Sequence, residues 1–220
     1  MNFFEQGDYY CERNDLTFWS EPLNAITNLA FIIAALIMYR RLHGSNLVGG
    51  YVLVALLTAI GIGSFLFHTF ATNWAALADV IPIGLFILVY LFLVARVFLE
   101  FPIWGALLAT AAFLPYAYVL FPIIDSLPFF QISDFYWLVP ILLCLVAPLV
   151  WRKKKVTAQG MVIGAVILCT SITLRSLDID HCHRFPVGTH IFWHILNGVL
   201  LGWMIEVYRR HTLEPGPTSV

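Results

Sequence analysis

Residues 48–70 read VGGYVLVALLTAIGIGSFLFHTF, an apolar run without a single Asp, Glu, Lys or Arg. A helix needs about 20 such residues to cross a bilayer, and the run lacks the two-residue alternation of a barrel strand with a polar lumen face. It predicts a transmembrane helix. The same reading marks six further spans, at about 22–39, 75–95, 101–121, 135–151, 156–174 and 188–208. Together the spans take up most of the 220 residues. What remains is an N-terminal segment (1–21), six short connections and a tail (209–220), so the expected fold is all-α, a single seven-helix membrane domain over 1–220. The opening residues, MNFFEQGDYYCE, are acidic and lack a basic stretch, which argues against a cleaved signal peptide.

Composition agrees. The chain is 60% hydrophobic and 11% charged, against roughly 45–50% and about 25% in a soluble domain. The net charge is -1 and the one basic run is Arg152, Lys153, Lys154, Lys155, which speaks against a disordered chain or a nucleic-acid partner. Four cysteines are too few for a disulfide scaffold.

Sidedness follows from the positive-inside rule. Arg40 and Arg41, Arg96, the 152–155 run, and Arg209 and Arg210 follow alternate spans, which puts nine of the twelve basic residues on one side. The other side holds Arg13, Arg175 and Arg184 with most of the acids. The N-terminus is therefore expected outside and the C-terminus in the cytoplasm. All three lysines sit in one inner loop, so no lysine is available inside the bundle for a retinal Schiff base. No internal repeat of the transporter kind is visible.

Polar groups inside hydrocarbon are expensive and mark candidate sites. Ser64 and His68 stand near the outer end of the second span, Asp79 near the outer start of the third, and His190 and His194 near the outer start of the seventh. At about 1.5 Å rise per residue, all five lie within roughly 10 Å of the outer interface. His190 and His194 are four apart, as are Ser64 and His68, so each pair shares a helix face. Three imidazoles with a carboxylate nearby suit zinc with an open fourth position. Such an ion acidifies a bound water and polarises a carbonyl, which amide or ester hydrolysis requires. A rival is haem between two facing histidines, which leaves one histidine and Asp79 without a role. His181 and His183 read as exposed loop residues, and His43 and His211 as solvated on the inner side.

Before the first span, Glu5, Asp8, Glu12, Asp15 and Glu21 cluster with Asn14 and Asn24. Oxygen-rich clusters of this kind suit calcium, and an ordinary acidic outer segment is the alternative. Cys11 and Cys182 both fall outside, whereas Cys144 and Cys169 lie within the fifth and sixth spans. An oxidising exterior favours a Cys11–Cys182 bridge over two separate thiols.

YCER (10–13) with Asn14 and Glu21, GIGSFLFHTF (61–70), Asp79 eleven residues beyond His68, and GTHIFWHIL (188–196) together resemble the alkaline ceramidases. These are seven-helix membrane amidases related to the adiponectin-receptor-like group. The resemblance covers nearly the whole chain in order and spacing. It implies hydrolysis of the ceramide amide to a sphingoid base and a fatty acid. His68, His190 and His194 would hold zinc, Asp79 would orient or deprotonate the attacking water, and Ser64 would donate a hydrogen bond to the developing oxyanion. It also implies a calcium site formed by Glu12, Asn14, Glu21 and the Tyr10 carbonyl. The sequence departs from the family there, with Tyr9 where an acid is usual and Asp8 one place earlier.

The expected protein is a zinc amidohydrolase acting on a ceramide-like lipid from the outer leaflet. A bacterial plasma membrane is expected, or the endoplasmic reticulum or Golgi membrane in a eukaryote. The second reading is a heptahelical lipid receptor with a structural metal.

Overall fold

The computed structural model describes residues 2–7 and 10–214. Its seven spans are α1 (Pro22–Leu42), α2 (Val48–Phe70), α3 (Asn73–Phe98), α4 (Ile103–Asp125), α5 (Asp134–Trp151), α6 (Lys155–Ser176) and α7 (His190–Leu213). There is no strand among the described residues; one isolated bridge joins Gln6 to Thr72. The helices neighbour one another in the closed order α3–α2–α1–α7–α6–α5–α4, with α4 returning to α3. α7 is the most buried span and α4 the least.

The spans appear where the apolar runs predict them; α2 coincides with its run, α4 and α7 begin two residues later, and the C-terminal ends of α1, α3, α4, α6 and α7 extend beyond their runs. α1 takes Arg40 and Arg41 into its last turn, where the negative end of the helix dipole favours cations. α7 continues to Leu213 because its charges pair locally. Glu206, which falls inside the predicted seventh span, is bonded by Arg209 at 2.8 Å, Arg210 at 2.6 Å and Arg41 at 3.1 Å. That cluster lies at the end of the bundle opposite the histidines and is a structural knot. Prolines 82, 122, 140 and 148 sit inside helices, a placement tolerated in membrane spans when neighbours satisfy the freed backbone groups. α1 breaks at Asn28, whose Nδ2 donates to the Asn24 carbonyl at 2.9 Å.

Two glycines bring the site helices together. A Cβ at Gly63 would lie 2.0 Å from the Ala78 carbonyl oxygen, and one at Gly198 would lie 2.9 Å from the backbone of Ala30. α2 thus touches α3 backbone to backbone beside Ser64 and Asp79, and α7 touches α1 beside His194. Neither backbone can yield as a flexible side chain would. Gly63→Ala is expected to destabilise the protein by about 1–3 kcal/mol through overpacking. Gly84→Ala, where the added carbon meets nothing within 4 Å, is the control. Comparing their unfolding midpoints in detergent with wild type checks it, and equal midpoints would contradict the close approach.

The N-terminal segment covers the α2–α3 turn. Gly7 N–H donates to Ala71 O at 3.0 Å, and Asn73 and Trp74 N–H donate to Glu5 O and Phe3 O, each at 3.1 Å. Ala71 itself takes a left-handed conformation, φ 49°, which ends α2 and sends the chain directly into α3.

Candidate metal centre and the cavity beside it

His68 on α2 and His190 and His194 on α7 meet at one point. Their ring centroids are 4.6–5.1 Å apart, and one nitrogen from each falls within 4.8 Å of the others. All three are buried, none more than 2% exposed. No pair faces across a porphyrin-sized gap, so the compact cluster suits one small cation and not a haem.

The hydrogen bonds around the rings fix their direction. His68 Nδ1 is 2.6 Å from Glu21 Oε2. Glu21 also accepts Arg13 Nε–H at 2.5 Å and Asn24 Nδ2–H at 3.0 Å. A carboxylate only accepts, so Nδ1 donates to Glu21 and the far nitrogen is the one placed to ligate a cation. His194 Nδ1 is 2.8 Å from Thr27 Oγ1, and that hydroxyl reaches the Leu23 carbonyl at 2.8 Å. The hydroxyl therefore donates to the backbone and accepts from the ring. This leaves His194 Nε2 buried without a partner, as is His190 Nδ1. Two orphaned buried imidazole nitrogens in this cluster, with His68 backed by a carboxylate and His194 by a hydroxyl, fit a histidine-bound metal, whose ligands characteristically donate their other N–H to such groups. At Glu21, burial alone would raise the carboxyl pKa; the hydrogen bonds and charges of His68 and Arg13 outweigh it and hold the pKa low.

Asp178 secures α7. Its Oδ1 accepts the N–H groups of Thr189 and His190 at 2.6 and 2.8 Å, and its Oδ2 accepts Cys11 N–H at 2.9 Å. Gly188, at φ +68°, passes so close that a Cβ would lie 2.1 Å from Asp178 Oδ1. Cys11 and Cys182 form a disulfide, as the topology favours, tying the N-terminal segment to the connection before α7. Cys144 and Cys169 are free.

The residues expected to hold calcium are arranged otherwise. Both Glu12 oxygens accept backbone N–H groups, from Leu23 at 2.7 Å and Asn24 at 2.8 Å. Burial raises the Glu12 carboxyl pKa, opposed by these two bonds. Glu21 is engaged as described, the Tyr10 carbonyl accepts Arg13 N–H at 3.2 Å, and Asn14 Nδ2 donates to the Glu12 carbonyl at 3.0 Å. Arg13, 4% exposed, lies among these groups, and its NH2 also donates to the His68 carbonyl at 3.0 Å. A buried guanidinium among the carboxylates does not fit a calcium cage. Asp8 lies outside the described residues.

Beside the histidines opens a cavity of about 300 Å³ lined by Tyr10, Phe67, Ala76, Asp79, Val80, Ile132, Tyr136, Arg175 and Trp193. Asp79 interacts there with the Ser64 hydroxyl and with the charges of His68 and Arg175, and Ser64 is buried behind it. Tyr10 stacks on His190 with ring centroids 3.8 Å apart. A second, narrow cavity of about 90 Å³ runs through the bundle core and is almost wholly apolar, with Ile60, Phe86, Leu200 and Met204 among its walls. The two cavities share Tyr136 and Trp193. A polar chamber and an apolar channel thus adjoin at Tyr136 and Trp193, the latter packed against His190, an arrangement suited to an amphipathic ligand.

Of the remaining histidines, His43, His181 and His183 are exposed as expected. His211 departs from expectation: it is half-buried, bonded through Nδ1 to Thr157 Oγ1 at 2.8 Å and packed on Phe98. Four residues of the site carry roles the sequence reading missed: Arg13, Thr27, Arg175 and Asp178. Glu21 was noticed, but not as the partner of a histidine 47 positions away. Comparison with known proteins gives one match. A family model described as Ceramidase covers residues 8–215; no curated protein and no solved structure matches.

Proposed function

The chain belongs to the Ceramidase family, and from that premise we propose that it hydrolyses the amide of ceramide, or of a ceramide-like N-acyl lipid, in a zinc-dependent reaction. The observation that carries the reading is the cluster of three buried imidazoles, two of them with an unpartnered nitrogen, beside Tyr10 and Trp193 on the wall of the polar chamber. The histidine end is taken as exoplasmic from the asymmetry of Lys and Arg, so the reacting amide would come from the outer leaflet. An amide lipid held there places an acyl chain toward the apolar channel and its polar part in the chamber.

In this reading His68, His190 and His194 hold the zinc. When bound, that ion polarises the amide carbonyl and makes water a better nucleophile near neutral pH. The other steps fall to the chain. Asp79 accepts a proton from the attacking water, whose oxygen forms the new bond to the acyl carbon. Ser64 turns its hydroxyl to the oxygen that gains charge. Asp79 then passes its proton to the nitrogen as the C–N bond breaks, and a fatty acid and an amine leave. Glu21 holds His68 in the required tautomer, and Thr27 does the same for His194.

Because the Arg13 guanidinium supplies the positive charge between the N-terminal segment and Glu21, we further propose that activity does not depend on calcium. The test is fatty-acid release from ceramide by the purified protein. A zinc-selective chelator is expected to abolish it reversibly, and a calcium-selective chelator to leave it within about two-fold, a difference of less than 0.5 kcal/mol. Loss of activity on calcium removal would refute the guanidinium assignment, and release indifferent to both chelators would refute the zinc.

A further inference from the structure

Arg175, half-buried on the last turn of α6, is held differently from the arginines that pair with acids in this protein. Arg13 is paired with Glu21, and Arg41, Arg209 and Arg210 converge on Glu206. Among the described residues no carboxylate lies within ion-pair distance of Arg175. Aromatic rings and neutral groups hold it instead. Its guanidinium carbon is 5.3 Å from the Tyr136 ring centroid and 5.4 Å from that of Trp193, an arrangement in which ring faces stabilise a desolvated cation. NH1 donates to the Ile132 carbonyl at 3.1 Å and Ser133 Oγ at 2.6 Å, while NH2 reaches only the Tyr10 hydroxyl, at 3.5 Å. One edge of the fork therefore remains available on the wall of the polar chamber.

That edge is close to the reacting centre. Tyr10, whose hydroxyl meets NH2, stacks on His190, and Trp193 packs against both Arg175 and His190. The Tyr10 ring thus bridges the guanidinium and the histidine. A guanidinium without an acid partner, rigidly held and partly desolvated, favours a ligand that brings a carboxylate, because the charge-assisted pair then replaces water on both sides. Asp79 shares the chamber, bonded to Ser64 and within electrostatic reach of Arg175, but the two are not in ion-pair contact.

Resting on the amidase reading above, we propose that Arg175 directs this site to N-acyl lipids bearing a carboxylate next to the amide nitrogen, that is N-acyl amino acids, ahead of neutral amide lipids. The reaction is balanced by water alone. Its oxygen and one hydrogen go to the acyl carbon, giving the fatty acid; the C–N bond breaks; the other hydrogen goes to nitrogen, giving the free amino acid. No redox partner is needed. Arg175 takes no part in bond making. It binds the carboxylate and orients the amide.

The experiment compares N-palmitoylglycine with N-palmitoylethanolamine, which share the acyl chain and amide and differ in carboxylate against hydroxymethyl. Wild-type protein in detergent is expected to favour the glycine conjugate in kcat/KM by about 10- to 100-fold, the range of a charge-assisted hydrogen bond. Arg175→Gln should bring that ratio close to one, and Arg175→Lys should restore part of it. A wild-type ratio near or below one overturns the proposal without any variant, so a poorly folding mutant does not shelter it. An unchanged ratio in folded Arg175→Gln also overturns it. If ceramide is cleaved and neither of these amides is, the proposal for Arg175 is overturned; if ceramide is not cleaved either, the hydrolytic reading fails, and calorimetric binding of N-palmitoylglycine over the ethanolamide, lost in Arg175→Gln, would still support Arg175 as the carboxylate anchor, whereas equal binding of both would overturn it.

Discussion

Asp79→Ala is expected to reduce amide hydrolysis by at least about 10³-fold, within the upper range for loss of general acid–base catalysis, while the protein still binds zinc. The reason is the division of labour in the site. The three imidazoles converge on one point from α2 and α7, whereas Asp79 approaches from α3, within the polar chamber and beside Ser64. In the proposed reaction its carboxylate handles the proton of water and does not complete the histidine set. Single-turnover fatty-acid release together with metal content distinguishes the two roles. A variant that loses both would move Asp79 into direct contact with the ion.

Glu21→Ala is expected to have a comparably large effect for a different reason. Three buried groups lose their acceptor at once, the Arg13 guanidinium, His68 Nδ1 and the Asn24 amide. Breaking a buried ion pair by removing one partner costs about 3–5 kcal/mol, and removing the group that orients a metal ligand lowers metal affinity by about 10- to 100-fold. Unfolding in detergent should show a reduced midpoint, and zinc titration a weakened site. Replacing both residues, with Arg13→Met and Glu21→Gln, should recover part of the lost stability because no uncompensated charge is left behind. If the double variant is no more stable than Glu21→Ala, the ion pair is not the source of the loss.

The seven spans were legible in the sequence because a bilayer imposes a length and a polarity on anything that crosses it. The run at 48–70 carries both in full. The spans' ends were less legible, since hydropathy cannot foresee that Glu206 joins three arginines and lets α7 continue to Leu213. His68, His190 and His194 could be picked out by depth and by the four-residue offset, which is a local property of helices. Their partners could not. Glu21 meets His68 and Arg13 only because the N-terminal segment folds over the α2–α3 turn, where Gly7 and Asn73 hold it by backbone bonds. A cluster of acids read as oxygen ligands for calcium thus contains one acid that orients an imidazole and another, Glu12, that accepts the first N–H groups of α1. Arg175 was assigned by position to the same end of the bundle as the histidines, but its lack of a carboxylate in ion-pair contact is a three-dimensional fact. The best local signal for Glu21 was its place directly before Pro22, at the entry to the first span.

The most direct test of the account is the metal content of purified, active protein, measured by elemental analysis alongside that of His194→Ala. One zinc per chain in the wild type, and its loss together with amide hydrolysis in the variant, is the predicted result. Active wild-type material free of transition metal, or a His194→Ala protein that keeps full turnover, would contradict it.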